Sequence, residues 1–176
     1  MNYKAVIFDF DGTVCQTGEG IRKSAAYALE SMGFPVPEDE NELNFFIGPP
    51  LLVTFQERYG ADPQTAEELV KKYRERYTNI GVYESEPYDG IEQLLQALKQ
   101  DGLKIGIASS KPKKYIETLL ERDGLIKYFD SVCGVSFTVD CESKANIIGR
   151  CMKELNSPPE ETMMVSNKRC DIEGAK

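Results

Sequence analysis

The stretch Ala5-Val6-Ile7-Phe8-Asp9-Phe10-Asp11-Gly12-Thr13 decides the fold that this sequence predicts. Residues 5–8 form a compact β-prone run that stops at Asp9. Asp9 and Asp11 are separated by one residue, so in an extended chain both carboxylates point to the same face. Gly12 then allows a sharp turn. We expect a buried strand whose two aspartates lie at the edge of a parallel sheet where ligands bind.

Three further apolar runs continue this pattern, at 103–108, 128–133 and 162–165. The first of them ends at Ser109-Ser110. The segments between the runs carry apolar residues at helical spacing. These stripes are Ile91, Leu94, Leu95 and Leu98; Ile116, Leu119 and Leu120; and Ile147, Ile148, Cys151, Met152 and Leu155. Strands that alternate with helices predict an α/β class core, a Rossmann-like parallel sheet with helices on both faces.

Residues 15–85 interrupt the alternation, because they carry helical stripes and no recognisable strand. Asp62-Pro63 is typical of a helix N-cap followed by the first helical turn. We therefore expect a discontinuous core formed by residues 1–14 and 86–176. An all-helical domain, residues 15–85, is inserted into that core after its first strand.

Composition restricts the function. The 176 residues carry a formal charge of -8, which argues against generic nucleic-acid binding. The absence of histidine excludes catalytic triads and histidine-ligated zinc. The five cysteines form no CxxC motif, which indicates small, buried, reduced thiols. With no membrane-length apolar run and no signal peptide, we expect a cytoplasmic protein with no membrane contact.

Two other interpretations of the aspartate pair are weaker. An EF-hand loop that begins at Asp9 needs Gly at position 14 and Glu at position 20, where this chain has Val14 and Gly20. A simple Asp-Gly turn requires only one aspartate. Two adjacent carboxylates at a strand end instead favour a divalent cation and catalysis.

The sequence Asp9-Phe10-Asp11-Gly12-Thr13 resembles the DxDGT motif of the haloacid dehalogenase superfamily, specifically its aspartate-nucleophile phosphatases. The chain looks most like the phosphoglycolate phosphatase and 5′-nucleotidase-like branch, which has a helical cap. The resemblance spans nearly all residues. It includes the segments 46–51, 107–112 and 171–176.

The resemblance implies a role for each matching residue. Asp9 is the expected nucleophile and Asp11 the general acid and base. Mg²⁺ is expected on the Asp9 carboxylate and the Asp11 backbone carbonyl. Ser109 would bind a phosphate oxygen, and Lys144 rather than Lys111 would balance the phosphate charge as a catalytic residue. The residues expected to bind substrate are Gly12, Thr13, Ser109, Ser110, Lys111, Gly48 and Pro49.

The motif that follows the last strand departs from the family pattern. Asn167 stands where the family places a metal-binding aspartate, while Asp171 is retained. An amide still offers one neutral oxygen, so we expect a weaker Mg²⁺ site formed by Asp9, Asp11, Asn167 and Asp171. Three explanations remain open: a natural variant that tolerates asparagine, an engineered or mutated site, or a protein that binds phosphate without turnover.

The family usually continues past Gly174-Ala175-Lys176 into a further strand and helix. We therefore expect a core without that strand, an exposed edge at 162–165, and a homodimer through this edge. The expected function is Mg²⁺-dependent hydrolysis of a small phosphorylated metabolite through an aspartyl-phosphate. The alternatives are a catalytically impaired phosphate-binding or partner-binding protein, and a phosphomutase with the same residues.

Overall fold

The computed structural model describes residues 3–136 and 142–167. The chain forms two compact units, which divide between Gln16 and Thr17 and again between Glu86 and Pro87. The core unit contains both flanking segments and the helical unit contains the insertion. Within the described ranges, every helix is too short or too polar to cross a bilayer.

The core unit contains a four-stranded parallel sheet with strand order β5-β4-β1-β6. Its strands are β1 (Ala5–Phe8), β4 (Lys104–Pro112), β5 (Ser131–Val135) and β6 (Thr162–Val165). The helices of this unit are α4 (Ile91–Gln100), α5 (Lys113–Arg122) and α6 (Lys144–Leu155). The predicted α/β class is confirmed.

Strand β1 lies in the middle of this sheet, with Ile7 paired to Gly106 on one side and to Met164 on the other. All four residues of β1 are buried, as a strand covered on both faces requires. The carboxyl end of β1 is therefore held between β4 and β6, and this pairing fixes the position of the residues that follow β1.

The predicted run at 128–133 is wrong at its start. Residues Ile126–Tyr128 form a 3₁₀ helix, and β5 begins only at Ser131. Asp130 fixes this start because its backbone N–H donates to the Ile105 carbonyl at 2.7 Å and its side chain accepts from the Ile105 N–H at 2.8 Å. Strand β4 is also longer than the predicted 103–108, because an irregularity between Ala108 and Pro112 lets pairing with β5 resume at Pro112.

The helical unit contains α1 (Gly18–Ser31), α2 (Leu51–Tyr59) and α3 (Pro63–Asn79), together with 3₁₀ helices at Glu40–Phe46 and Gly81–Tyr83. Asp62 caps α3 as predicted, accepting hydrogen bonds from the Gln64 and Thr65 N–H groups at 3.0 and 3.1 Å. The stripe predicted for α3 is buried: Ala66, Leu69, Val70, Tyr73 and Tyr77.

Two details of the pattern are corrected. The interval 15–85 was expected to hold no strand, but β2 (Cys15–Gln16) lies in it and pairs with β3 (Glu86–Pro87). A strand of two residues is too short for alternation to reveal. Leu94, expected on the buried face of α4, is 45% exposed, since Ile91 and Leu95 alone are buried there.

Candidate active site

Both aspartates of the opening motif are buried at the carboxyl end of β1. Asp9 is 2% exposed and Asp11 is 5% exposed. The Asp9 backbone N–H donates to the Val165 carbonyl of β6 at 3.0 Å, which extends the sheet register to the first aspartate. Because buried carboxylates require cationic partners or hydrogen bonds, this pair indicates a built site rather than a surface turn.

Lys144 contacts the first aspartate. Its Nζ lies 2.7 Å from Asp9 Oδ1, across 135 residues of sequence. The lysine is the first residue of α6, and the Ser143 hydroxyl caps this helix by accepting from the Asn146 N–H at 3.3 Å. The helix start therefore fixes the position from which the ammonium group reaches the sheet edge.

Lys111 contacts the second aspartate. Its Nζ lies 2.9 Å from Asp11 Oδ1, and the lysine is only 6% exposed. Lys111 comes two residues after Ser109 on β4, and its backbone N–H donates to the Ser109 hydroxyl at 3.4 Å. Ser109 is not the N-cap of the following helix, since Pro112 occupies that position before α5.

Lys111 is the residue that sequence reasoning undervalued. The preference for Lys144 treated the two lysines as competitors, but each holds a different carboxylate. The spacing of Ser109 and Lys111 was a usable signal, because residues two apart in a strand lie on one face.

Gly12, Thr13 and Asn167 complete the described part of the site. Gly12 has φ of +82°, a conformation that favours glycine, and a Cβ built on it would lie 2.5 Å from the Asn167 Nδ2 atom. Thr13 Oγ1 is buried and has no hydrogen-bond partner among the described residues. Buried hydroxyls are seldom left unpartnered, so Thr13 is suited to an incoming oxygen.

The donor set suits Mg²⁺. Asp9 offers a carboxylate oxygen and Asp11 a backbone carbonyl oxygen, and the Asn167 amide beside Gly12 offers a further neutral oxygen. Mg²⁺ commonly binds through one or two carboxylates, with waters and substrate phosphate completing its shell. Within residues 3–136 and 142–167, no three carboxylate, thiol or imidazole groups form a metal cluster. Asp171, the fourth predicted ligand, lies outside the described residues.

Cys15 lies beside the motif without a chemical role. Its carbonyl accepts from the Gly12 N–H at 2.9 Å, which closes the turn after Asp11. Burial raises the pKa of the Cys15 thiol to about 12, with the negative charges of Asp123 and Asp11 acting in the same direction. The thiol is therefore protonated at neutral pH, in line with its predicted role as a small buried hydrophobe.

Ser110, also predicted to bind substrate, is half-buried on β4 between Ser109 and Lys111. The other two predicted residues belong to the helical unit. Gly48 and Pro49 lie in the turn between the Glu40–Phe46 helix and α2. The cations of α3 have local partners: Lys71 pairs with Glu68 and Lys72 with Glu75, both across one turn. Such exposed pairs are typical of a solvated helix face.

Comparison with known proteins gives consistent matches. The family model described as haloacid dehalogenase-like hydrolase matches residues 6–176. A 5′-nucleotidase of Pseudomonas aeruginosa is 33% identical over 175 residues, which are 99% of this chain and 79% of that protein. A solved structure described as a predicted phosphatase from Clostridium acetobutylicum has a TM-score of 0.93 and 37% identity, covering 99% of this chain and 80% of its own.

One relative carries a different activity in its name. The tyrosine-protein kinase PtkA of Mycobacterium tuberculosis is 32% identical over 170 residues, which are 97% of this chain. This chain spans 57% of the kinase's length.

Proposed function

The chain belongs to the haloacid dehalogenase-like hydrolase family and is a phosphoric monoester hydrolase of that family, and we propose that it hydrolyses a small phosphorylated metabolite through an aspartyl-phosphate formed on Asp9. The single observation that carries the proposal is the pair of buried lysine–carboxylate contacts at the end of β1. Lys144 approaches Asp9 Oδ1 at 2.7 Å and Lys111 approaches Asp11 Oδ1 at 2.9 Å.

The reaction proceeds in two displacements. In the first, a carboxylate oxygen of Asp9 attacks phosphorus while Asp11 donates a proton to the leaving oxygen. In the second displacement, Asp11 accepts a proton from the water that hydrolyses the aspartyl-phosphate on Asp9. Lys144 orients Asp9 and offsets the charge of the phosphoryl oxygens, which is the main demand of phosphoryl transfer. Ser109 and Thr13 donate hydrogen bonds to those oxygens.

Mg²⁺, held by Asp9, Asp11 and the Asn167 amide, would neutralise charge on the phosphoryl group when bound. Lys111 also offsets the charge of the phosphoryl group. Its ammonium group lies 2.9 Å from Asp11 Oδ1, so an anion that contacts Asp11 also lies near Lys111. In the helical unit we assign Gly48 and Pro49 to substrate selection. This assignment rests on the resemblance alone.

The decisive experiment measures hydrolysis of an aryl phosphate by the full chain, with and without Mg²⁺, and compares Asp9→Asn. We expect steady turnover that requires Mg²⁺ and falls by at least about 10³-fold in the variant, because an amide is not a nucleophile. The matched control is Asp101→Asn, an exposed aspartate at the end of α4, which should leave turnover unchanged. Retained activity in Asp9→Asn would disprove the nucleophile assignment.

A second candidate function, phosphate binding without turnover, is favoured by Asn167 in the place of a metal-binding aspartate. Its side chain lies against Gly12, which directly follows Asp11 in the sequence. Replacing Asn167 by Asp adds one negative charge, so Mg²⁺ affinity should rise about tenfold. Calorimetric titration with Mg²⁺ measures this directly. Activity that appears only in Asn167→Asp would establish the impaired-enzyme alternative, whereas unchanged affinity would remove Asn167 from the metal site.

A panel of phosphorylated compounds tests which substrate the protein hydrolyses. The panel includes phosphoglycolate, nucleoside monophosphates, pyrophosphate and a phosphotyrosine peptide. A phosphomutase would convert one phosphosugar isomer into another without releasing phosphate. A kinase activity like that named for the mycobacterial relative would transfer phosphate from ATP to tyrosine. Release of inorganic phosphate from a monoester as the main reaction separates the proposed hydrolase from both.

A further inference from the structure

The core unit holds a second cluster of nucleophilic and charged side chains, on β5 and α6. A cavity of about 240 Å³ is lined there by Cys133, Arg150, Glu142, Glu154 and Lys113. Because Lys113 is exposed, the cavity reaches the surface. A space of this size holds several water-sized molecules. The proposed phosphatase chemistry uses none of these residues.

Among the described residues, Cys133 is the one thiol that lines the cavity, and it meets a second thiol, Cys151, at one hydroxyl group. Ser131 Oγ donates its single proton to Glu154 Oε2 at 2.7 Å, so its oxygen can only accept from other donors. Cys151 Sγ and Cys133 Sγ each lie 3.5 Å from that oxygen. Both cysteines are buried and free of disulfide bonds. Strand β5 and helix α6 therefore bring two reduced sulfur atoms next to the Ser131 hydroxyl.

Arg150 supplies positive charge on the same side. Its guanidinium donates to Glu142 at 2.8 and 3.0 Å and to the Gly134 carbonyl at 2.8 Å, next to Cys133 in sequence. A hydrogen bond from the Cys151 thiol, with a smaller contribution from Arg150, lowers the pKa of Cys133 to about 6. The same coupling raises the pKa of Cys151. Cys133 is the nucleophilic member of the pair, since the thiolate is the reactive form.

We propose that Cys133 is an oxidation site: a hydroperoxide that enters the cavity oxidises Cys133, and Cys151 completes a reversible disulfide. In the first step the Cys133 sulfur attacks the distal peroxide oxygen, the O–O bond breaks, and water or an alcohol leaves once protonated. This gives a sulfenic acid on Cys133. In the second step the Cys151 sulfur displaces hydroxide, which leaves as water with the Cys151 proton.

Oxidation should also lower phosphatase activity, a consequence that rests on the proposed function. Helix α6 carries Cys151 two turns after Lys144, whose Nζ holds Asp9 Oδ1 at 2.7 Å. A disulfide requires the sulfur atoms to approach to about 2.05 Å, closer than any nonbonded contact. Cys151 Sγ is already closely packed, because a Cβ on Gly106 would lie 2.5 Å from it. The helix must therefore shift against the sheet, which displaces Lys144.

The experiment treats the full reduced chain with hydrogen peroxide and follows intact mass, peptide mapping and phosphatase activity. We expect a loss of two hydrogens, a cross-linked peptide containing Cys133 and Cys151, and several-fold lower activity, all reversed by dithiothreitol. Cys133→Ser should prevent the mass change. Cys151→Ser should instead leave a sulfenic acid on Cys133 that dimedone traps. Cys15→Ser, which removes another buried thiol, should behave as the parent.

A second measurement tests the reactivity of Cys133 without any oxidant. Iodoacetamide should label Cys133 with a half-maximal rate near pH 6 and leave Cys15 unlabelled in the native protein. The charged and titratable groups that face this thiol are Arg150, Glu154 and Cys151 of α6, Glu142 before it, and Lys113 of α5. Arg150→Gln should move the half-maximal pH upward.

Two outcomes would overturn the proposal. One is labelling of Cys133 no faster than that of Cys15. The other is peroxide treatment that yields sulfinic acid without a link to Cys151. Both are mass measurements, so they remain decisive even if the protein proves not to be a phosphatase.

Discussion

The two units of this protein contain the same kind of ion pair in opposite settings. In the core unit, the side chains of Lys111 and Asp11 are 4% and 7% exposed. On α3 of the helical unit, those of Lys71 and Glu68 are 67% and 51% exposed. Both pairs have short contacts, 2.9 and 2.6 Å. Distance alone does not distinguish them.

Burial decides what each pair indicates. An exposed pair contributes little to stability, typically about 0–1 kcal/mol, because water screens both charges. A buried pair costs desolvation free energy that its attraction only partly offsets, and removing one partner leaves an uncompensated charge. We infer that the two pairs at the end of β1 serve chemistry rather than stability. Three substitutions test this difference.

The largest effect is expected from Lys144→Met. Loss of the ammonium group that contacts Asp9 should reduce turnover of an aryl phosphate by about 10²–10³-fold, because the phosphoryl charge loses a preorganised partner. Lys71→Met removes an equally charged lysine from the exposed pair and should leave turnover unchanged. Steady-state kinetics on both variants, with circular dichroism to verify folding, measures the contrast. Equal activities would remove Lys144 from the catalytic site.

The sequence predicted the strands and the site aspartates, but not every lysine contact of these buried carboxylates. The runs at 5–8 and 162–165 match β1 and β6 residue for residue. Strand β1 is fully buried, as a continuous apolar run with a sharp end predicts, whereas β6 is only partly buried. The opening motif also identified Asp9 and Asp11. The spacing of Ser109 and Lys111 could place the lysine on the face of the site, but its pairing with Asp11 spans 100 residues and depends on strand order, so the partner could not be predicted. The late start of β5 was missed for the same reason, since Asp130 is fixed by a neighbouring strand.

A second, intermediate effect concerns Lys111→Met. It leaves the Asp11 carboxylate buried without its lysine, so the free energy of unfolding should fall by about 3 kcal/mol. Lys111→Met combined with Asp11→Asn removes both charges and should recover most of that loss. Urea unfolding at pH 7 measures both variants. A loss below about 1 kcal/mol for the single variant would place this pair with the surface pairs.

The smallest effect is expected from Glu84→Gln, which tests a partly buried pair of the helical unit. Glu84 accepts two hydrogen bonds from Arg76, at 2.7 and 2.9 Å, and this contact lowers the pKa of Glu84. A lowered carboxyl pKa stabilises the folded state above the unfolded-state pKa, about 4.3, and the contribution is lost as pH falls through the folded-state value. The parent should therefore exceed the variant by about 1 kcal/mol at pH 7.

That difference should stay constant from neutral pH down to about 5 and shrink below about 4, where Glu84 takes up a proton. Glu68→Gln, which breaks the exposed pair with Lys71, is the matched control and should change stability by less than about 0.5 kcal/mol at every pH. Urea unfolding across this pH range measures both variants. If the difference in unfolding free energy between the parent and Glu84→Gln persists unchanged in acid, packing rather than charge holds Arg76. Burial would then not distinguish this pair from the exposed pair of Lys71 and Glu68.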